Sequence, residues 1–168
     1  PVEVKKKKET IIFDTDEEEI ITAIDKIKIE RVILNLLSNA IKYNEENGKI
    51  DVLVGTRKEN IIIEIEDNGI GIPKEKVKYI FNRYERVQTS EARYKEGSGL
   101  GLNIVKEIIN KFNGSVKIES EESIGTKITI IIPKIEYNGE LYEDYSDGFN
   151  FKNDIIQKVD LEMSDICI

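Results

Sequence analysis

Within one stretch of the chain the hydrophobic period changes from helical to alternating. Over residues 26–43 the apolar side chains Ile29, Ile33, Leu36, Leu37, Ala40 and Ile41 cover one broad arc at helical spacing. Asp25 precedes them as a helix cap, and Asn47-Gly48 closes the segment. Two strand-like runs follow directly, 49–57 and 60–66, joined by a tight turn at 58–60. In the second, Ile61, Ile63 and Ile65 alternate with Ile62, Glu64 and Glu66. A helix handed straight to a half-buried hairpin excludes all-helical and all-strand folds and points to an α+β domain.

The flanks carry the same mixture. Residues 10–14 and 20–24 read as short strands split by an acidic turn at 15–19, an opening hairpin. Residues 75–81 read as a short helix after Pro73, and no period survives between 84 and 96, which reads as a loop. A further helix carries Leu102, Val105, Ile108, Ile109 and Phe112 on one face, with Gly114 as its stop. A last hairpin, 115–120 and 126–132, ends at Pro133. The expected domain is therefore 1–133, and 134–168 is an acidic tail, docked on the domain or free, in which 155–163 adds one short element at most.

Composition narrows the function. With 168 residues, 39% apolar and 35% charged, the chain can enclose one core of an ordinary globular protein. No apolar run exceeds three residues, so no segment reads as a membrane span or a signal peptide, and no membrane contact is expected. A net charge of -8 argues against binding nucleic acid, the only basic cluster being Lys5 to Lys8. The lone Cys167 has no partner within the chain, which suits the cytoplasm. The absence of His removes the commonest general base, the Ser-His-Asp triad and every His-based metal site.

Three motifs remain as carriers of chemistry. Asn35, Asn39, Lys42 and Tyr43 share one stripe of the first long helix, where poor helix formers form either a solvated face or a ligand-facing one. DNGIGIP (67–73) follows a strand; Gly69 and Gly71 permit close backbone approach, and Asp67 could accept an exocyclic amine, though the run also makes an ordinary turn. GSGLGL (97–102) opens a helix whose N-terminal N–H groups suit a phosphate. Neither G-x-x-x-x-G-K-[ST] nor G-x-G-x-x-G occurs, because Leu102 stands where the latter needs Gly.

Together with IFNRYERV (80–87) and Gly125-Thr126, these segments resemble the catalytic ATP-binding domain of sensor histidine kinases, in the superfamily of Hsp90, type II topoisomerase and MutL ATPases. NLLSNAIKYN (35–44) matches the N box, DNGIGIP and GSGLGL the two G boxes, and 80–87 the F box. The resemblance implies the Bergerat fold, a two-layer α/β sandwich with a mixed sheet of about five strands covered by about three helices. It implies ATP and Mg²⁺ as ligands. By its pattern Asp67 would bind adenine N6, with Gly69, Gly71 and Ile72 lining the base pocket and Thr126 touching its edge. Asn39 would ligate Mg²⁺ with Asn35 supporting it, and Lys42 and Arg86 would meet phosphate oxygens. Tyr43 would flank the nucleotide, Phe81 would pack the F box, and Gly97, Gly99, Leu100, Gly101 and Leu102 would form the lid region, mobile over 87–98.

Hydrolysing branches of the superfamily resemble one another in carrying Glu where this chain has Asn35, and an amide cannot take a proton from water. The resemblance therefore implies a histidine kinase domain, inactive in isolation, that passes the γ-phosphoryl group to a His on a separate dimerisation and phosphoacceptor domain, and onward to a response regulator. The parent kinase would be cytoplasmic at this domain and open to membrane anchoring elsewhere. The alternatives are a stand-alone ATPase or serine kinase of the same superfamily, and a regulatory module that binds no nucleotide.

Overall fold

The computed structural model describes residues 2–6, 9–16, 20–82, 101–135, Ile155 and Lys158, with the backbone alone described at 2–6 and 9. Its first helix, α1 (Lys26–Tyr43), has the predicted bounds, and Asp25 caps it by accepting the Lys28 N–H at 3.1 Å. The Asp25 carboxyl also pairs with the Lys28 ammonium, and these contacts hold its pKa below the usual value. α1 lies between β2 (Glu9–Thr15) and β3 (Lys49–Arg57), which run parallel, as a helical crossover allows. β4 (Asn60–Asp67) returns antiparallel to β3. The four-residue α2 (Lys74–Val77) follows, then α3 (Gly101–Lys111) and the hairpin β5 (Ser115–Glu121) and β6 (Gly125–Pro133).

The sheet has six strands in the order β1-β2-β3-β4-β6-β5, β1 being Val2–Lys6, antiparallel to β2. This corrects the expected opening hairpin. Both edges of β2 are taken, by β1 and by β3, so no edge is left for residues 20–24, which have no regular structure. Ile20 and Ile24 instead pack against the core, and Thr22 Oγ1 accepts the Ile135 N–H at 3.0 Å. The Lys-rich composition of 2–6 hides a strand whose pairing is supplied by its neighbour. A second correction concerns the end of α3. Asn113, at φ 54, takes the left-handed position, and the Gly114 N–H caps the Ile109 carbonyl at 2.9 Å. Gly114 is required for another reason, since a Cβ there would lie 2.5 Å from the Ile131 carbonyl oxygen.

One face of the sheet meets the helices. Ile11 and Phe13 of β2, Ile50, Val52 and Val54 of β3, Ile61, Ile63 and Ile65 of β4, and Ile128, Ile130 and Ile132 of β6 form one cluster with Ile29, Val32, Ile33, Leu36, Leu37 and Ala40 of α1 and Val105, Ile108 and Ile109 of α3. The other face carries charge, with Lys127 Nζ 2.9 Å from Glu64 and 3.5 Å from Glu66. Glu64, the closer partner, is the main reason that the Lys127 pKa is raised. The result is a two-layer α/β sandwich of the expected class.

Candidate nucleotide site

The inward apolar rows of three neighbouring strands end in polar residues at one level. On β4 the row Ile61, Ile63, Ile65 continues to Asp67; on β6 the row Ile132, Ile130, Ile128 continues to Thr126; on β5 the row Val116, Ile118 continues to Ser120. The register sets these three abreast, because Asp67 pairs with Thr126 and Thr126 with Ser120. A carboxylate and two hydroxyls thus stand in line at the end of the apolar rows.

Ser120 joins the three segments around it. Its Oγ accepts the Ile72 N–H at 2.8 Å, donates to the Gly125 carbonyl at 2.9 Å, and lies 2.8 Å from Thr126 Oγ1. With its one proton given to Gly125, Ser120 receives the Thr126 proton, so Thr126 offers only lone pairs to anything beyond it. Asp67 is half-buried, and burial is the main reason that its pKa is raised. The Gly69 N–H, 3.0 Å from Oδ1, and the Thr126 N–H offset part of that penalty, and Glu66 adds slightly to it.

The DNGIGIP loop is stitched between α1 and the β5–β6 turn. The Ile70 N–H donates to the Tyr43 carbonyl at 3.0 Å, and the Ser123 N–H donates to the Ile70 carbonyl at 2.8 Å. Gly69 is pressed against the Tyr43 carbonyl and Asn44, where a Cβ has no room. Gly71 is buried at φ +64, and a Cβ on it would overlap the Glu121 carbonyl. Asn68 Oδ1 accepts the Lys49 N–H at 2.6 Å, which fixes the loop to the start of β3.

One to two turns back along α1, Asn35 and Asn39 face the start of α3. A Cβ on Gly101 would lie 3.0 Å from Asn35 Oδ1 and 3.8 Å from Asn39 Nδ2. Asn35 Nδ2 donates to the Arg31 carbonyl at 2.7 Å, so its oxygen is the free end, aimed at the N-terminus of α3. Lys42 keeps its ammonium 5.3 Å from the centroid of the Tyr43 ring. Phe81 is half-buried; its carbonyl accepts from Asn103 Nδ2 at 3.2 Å, and Lys106 Nζ lies 5.8 Å from its ring centroid, tying the F-box segment to α3. Leu102 packs against the core cluster. Arg86, Gly97, Gly99 and Leu100, with the lid expected over 87–98, lie outside the described residues.

α1 therefore has an amide pair at one level and the DNGIGIP loop at another, Asn35 and Tyr43 being about 12 Å apart along its axis. The family profile described as "Histidine kinase-, DNA gyrase B-, and HSP90-like ATPase" matches residues 24–136. The chain belongs to that family. The sensor histidine kinase YvrG of Bacillus subtilis is 39% identical to it over 124 residues, 74% of this chain and 21% of YvrG. The catalytic domain of the histidine kinase ThkA, in a nucleotide-free form, superposes with a TM-score of 0.66 at 30% identity, covering 76% of this chain and 80% of that one. A further structure holds ThkA in complex with the response regulator TrrA, with a TM-score of 0.61 at 27% identity over 74% of this chain and 34% of that one. The chain spans about a fifth of the length of the sensor kinases it matches.

Ser120 is the site residue that sequence reasoning missed. Its signal was present, as the polar end of the Val116, Ile118 row, but that row gains meaning only once β5 is in register with β6.

Proposed function

We propose that the chain is the ATP-binding catalytic domain of a two-component sensor histidine kinase, holding Mg-ATP for transfer of its γ-phosphoryl group to a His on a separate dimerisation domain. The observation that carries this reading is the line of Asp67, Thr126 and Ser120 at one level of α1, with Asn35 and Asn39 against the α3 N-terminus at another. A base fits the first end and anionic groups the second.

In this reading Asp67 accepts the adenine amine, and Gly71 lines the base pocket with its backbone fixed against the Glu121 carbonyl. Thr126, its proton engaged by Ser120, presents an acceptor beside Asp67. At the other end the N-terminus of α3 faces the phosphates, joined by Lys42 and Arg86. Asn35 and Asn39 supply hard amide oxygens. An Mg²⁺ ion held there would take most of its shell from phosphate oxygens and water. Mg²⁺ bound there would neutralise charge on the transferring group. The acceptor nitrogen forms its bond to the γ-phosphorus as the bridging P–O bond breaks and ADP leaves; the acceptor's proton goes to a base outside this chain. Asn35 cannot take a proton from water, which favours transfer over hydrolysis.

The ThkA–TrrA complex and the sensor-kinase relatives support a response regulator and the kinase's own His-bearing domain as partners. Among the described residues no helix is long and apolar enough to cross a membrane; a cytoplasmic position for this domain is part of the proposal. The test is to supply a His-bearing helical domain in trans with γ-labelled ATP. Acid-labile label on that domain is expected. Label on this chain, or steady hydrolysis by the chain alone, would overturn the reading.

A further inference from the structure

Glu30 lies on α1 about 140° around the helix from Asn35, away from the amide stripe. It is 5% exposed, and among the described residues its Oε1 has no hydrogen-bond partner. Its Oε2 is paired with Lys158, far beyond the last strand. Ile155, three residues before Lys158 and helical like it, is completely buried and belongs to the same apolar cluster as Ile29, Val32 and Ile33. Residues three apart in helical conformation share a face, so one side of the segment delivers both the apolar anchor and the cation. Lys158 is one of three lysines in 134–168, against nine Asp and Glu. Family membership does not account for Ile155 and Lys158, since the matched region stops at 136.

We propose that the segment around Ile155 and Lys158 is an intramolecular clamp on the flank of α1, with Ile155 as its anchor and the Glu30–Lys158 pair fixing where it sits. A buried carboxylate with a single cationic partner is costly to leave alone, so the pair discriminates between the seated segment and any other. The surface on α1 that Glu30 marks is an interaction site whose partner is this chain's own C-terminal segment. Ile155 and Lys158 then belong to the folded unit although they lie beyond residue 133. Because the clamp bears on the side of α1 turned from Asn35 and Asn39, it steadies the helix without covering them.

The test uses the full chain and reads out without nucleotide. Lys158→Met strands the Glu30 carboxylate, and its Tm should fall by roughly 5 to 10 °C. Adding Glu30→Gln removes the stranded charge, so the double variant should regain at least half of that loss. Losses that simply add, or a Lys158→Met protein within about 1 °C of the parent, would overturn the pairing. Ile155→Asp should speed tryptic cleavage after Lys158 by about tenfold or more, as expected when a buried segment is released; an unchanged cleavage rate would overturn the anchor.

Discussion

Asp67 is held where its charge is disfavoured, and the sign of the consequence follows. Burial raises its folded pKa above the ordinary 3.8, so the native state binds this proton more tightly than the unfolded chain does. Stability from this group is therefore lost as pH rises from about 3.8 through the raised folded value, and it is recovered on acidification over the same range. Asp67→Asn should be more stable than the parent at neutral pH, and the difference in Tm between the two should shrink as pH falls through that window; a difference that grows on acidification would contradict the assignment. Ser120→Ala belongs at the same scale. It strands the Ile72 N–H and removes a donor from the Gly125 carbonyl, so a loss of about 1 to 3 kcal/mol is expected in denaturant unfolding, with weaker nucleotide binding. Asp67 and Thr126 were legible because each sits in a motif. Ser120 was not, because a serine in an alternating charged strand, KIESEE, looks like solvated surface until its neighbour's register is known.

At the scale of elements, the strongly periodic segments were legible and the segments defined by their neighbours were not. α1 announced itself by its apolar arc and its Asp25 cap, and β4 by alternating Ile, since each signal is local to the chain. The opening of the domain was misread because 20–24 is as apolar as a strand, while Val2–Lys6 is one only through its pairing with β2. The loop after β4 shows how an element end becomes a site. Gly71 combines a left-handed backbone with contact against the Glu121 carbonyl, so Gly71→Ala meets a conformational cost of about 1 to 2 kcal/mol and a steric one besides. We expect that variant to lose more than about 2 kcal/mol in denaturant unfolding and to bind nucleotide poorly. A variant as stable as the parent would show that the loop relaxes easily and is not fixed by its neighbours.

Among the described residues the molecule is a two-layer sandwich in which Asp67, Thr126 and Ser120 form the polar margin of the sheet's apolar face. Segments far apart in sequence meet around that margin: α1 on one side, the turn after β4 on the second, and the β5–β6 hairpin on the third. What the sequence could not convey was the clamp, since Ile155 and Lys158 become significant only through Glu30, more than a hundred residues earlier. The central claim is that this margin is the adenine end of an ATP site, and calorimetric titration with Mg-ATP and Mg-GTP tests it most directly. The full chain should bind Mg-ATP at least tenfold more tightly than Mg-GTP, and Asp67→Ala, which removes a charged acceptor, should fold normally yet show no measurable binding. Equal affinity for the two nucleotides, or Mg-ATP binding unchanged in Asp67→Ala, would contradict it.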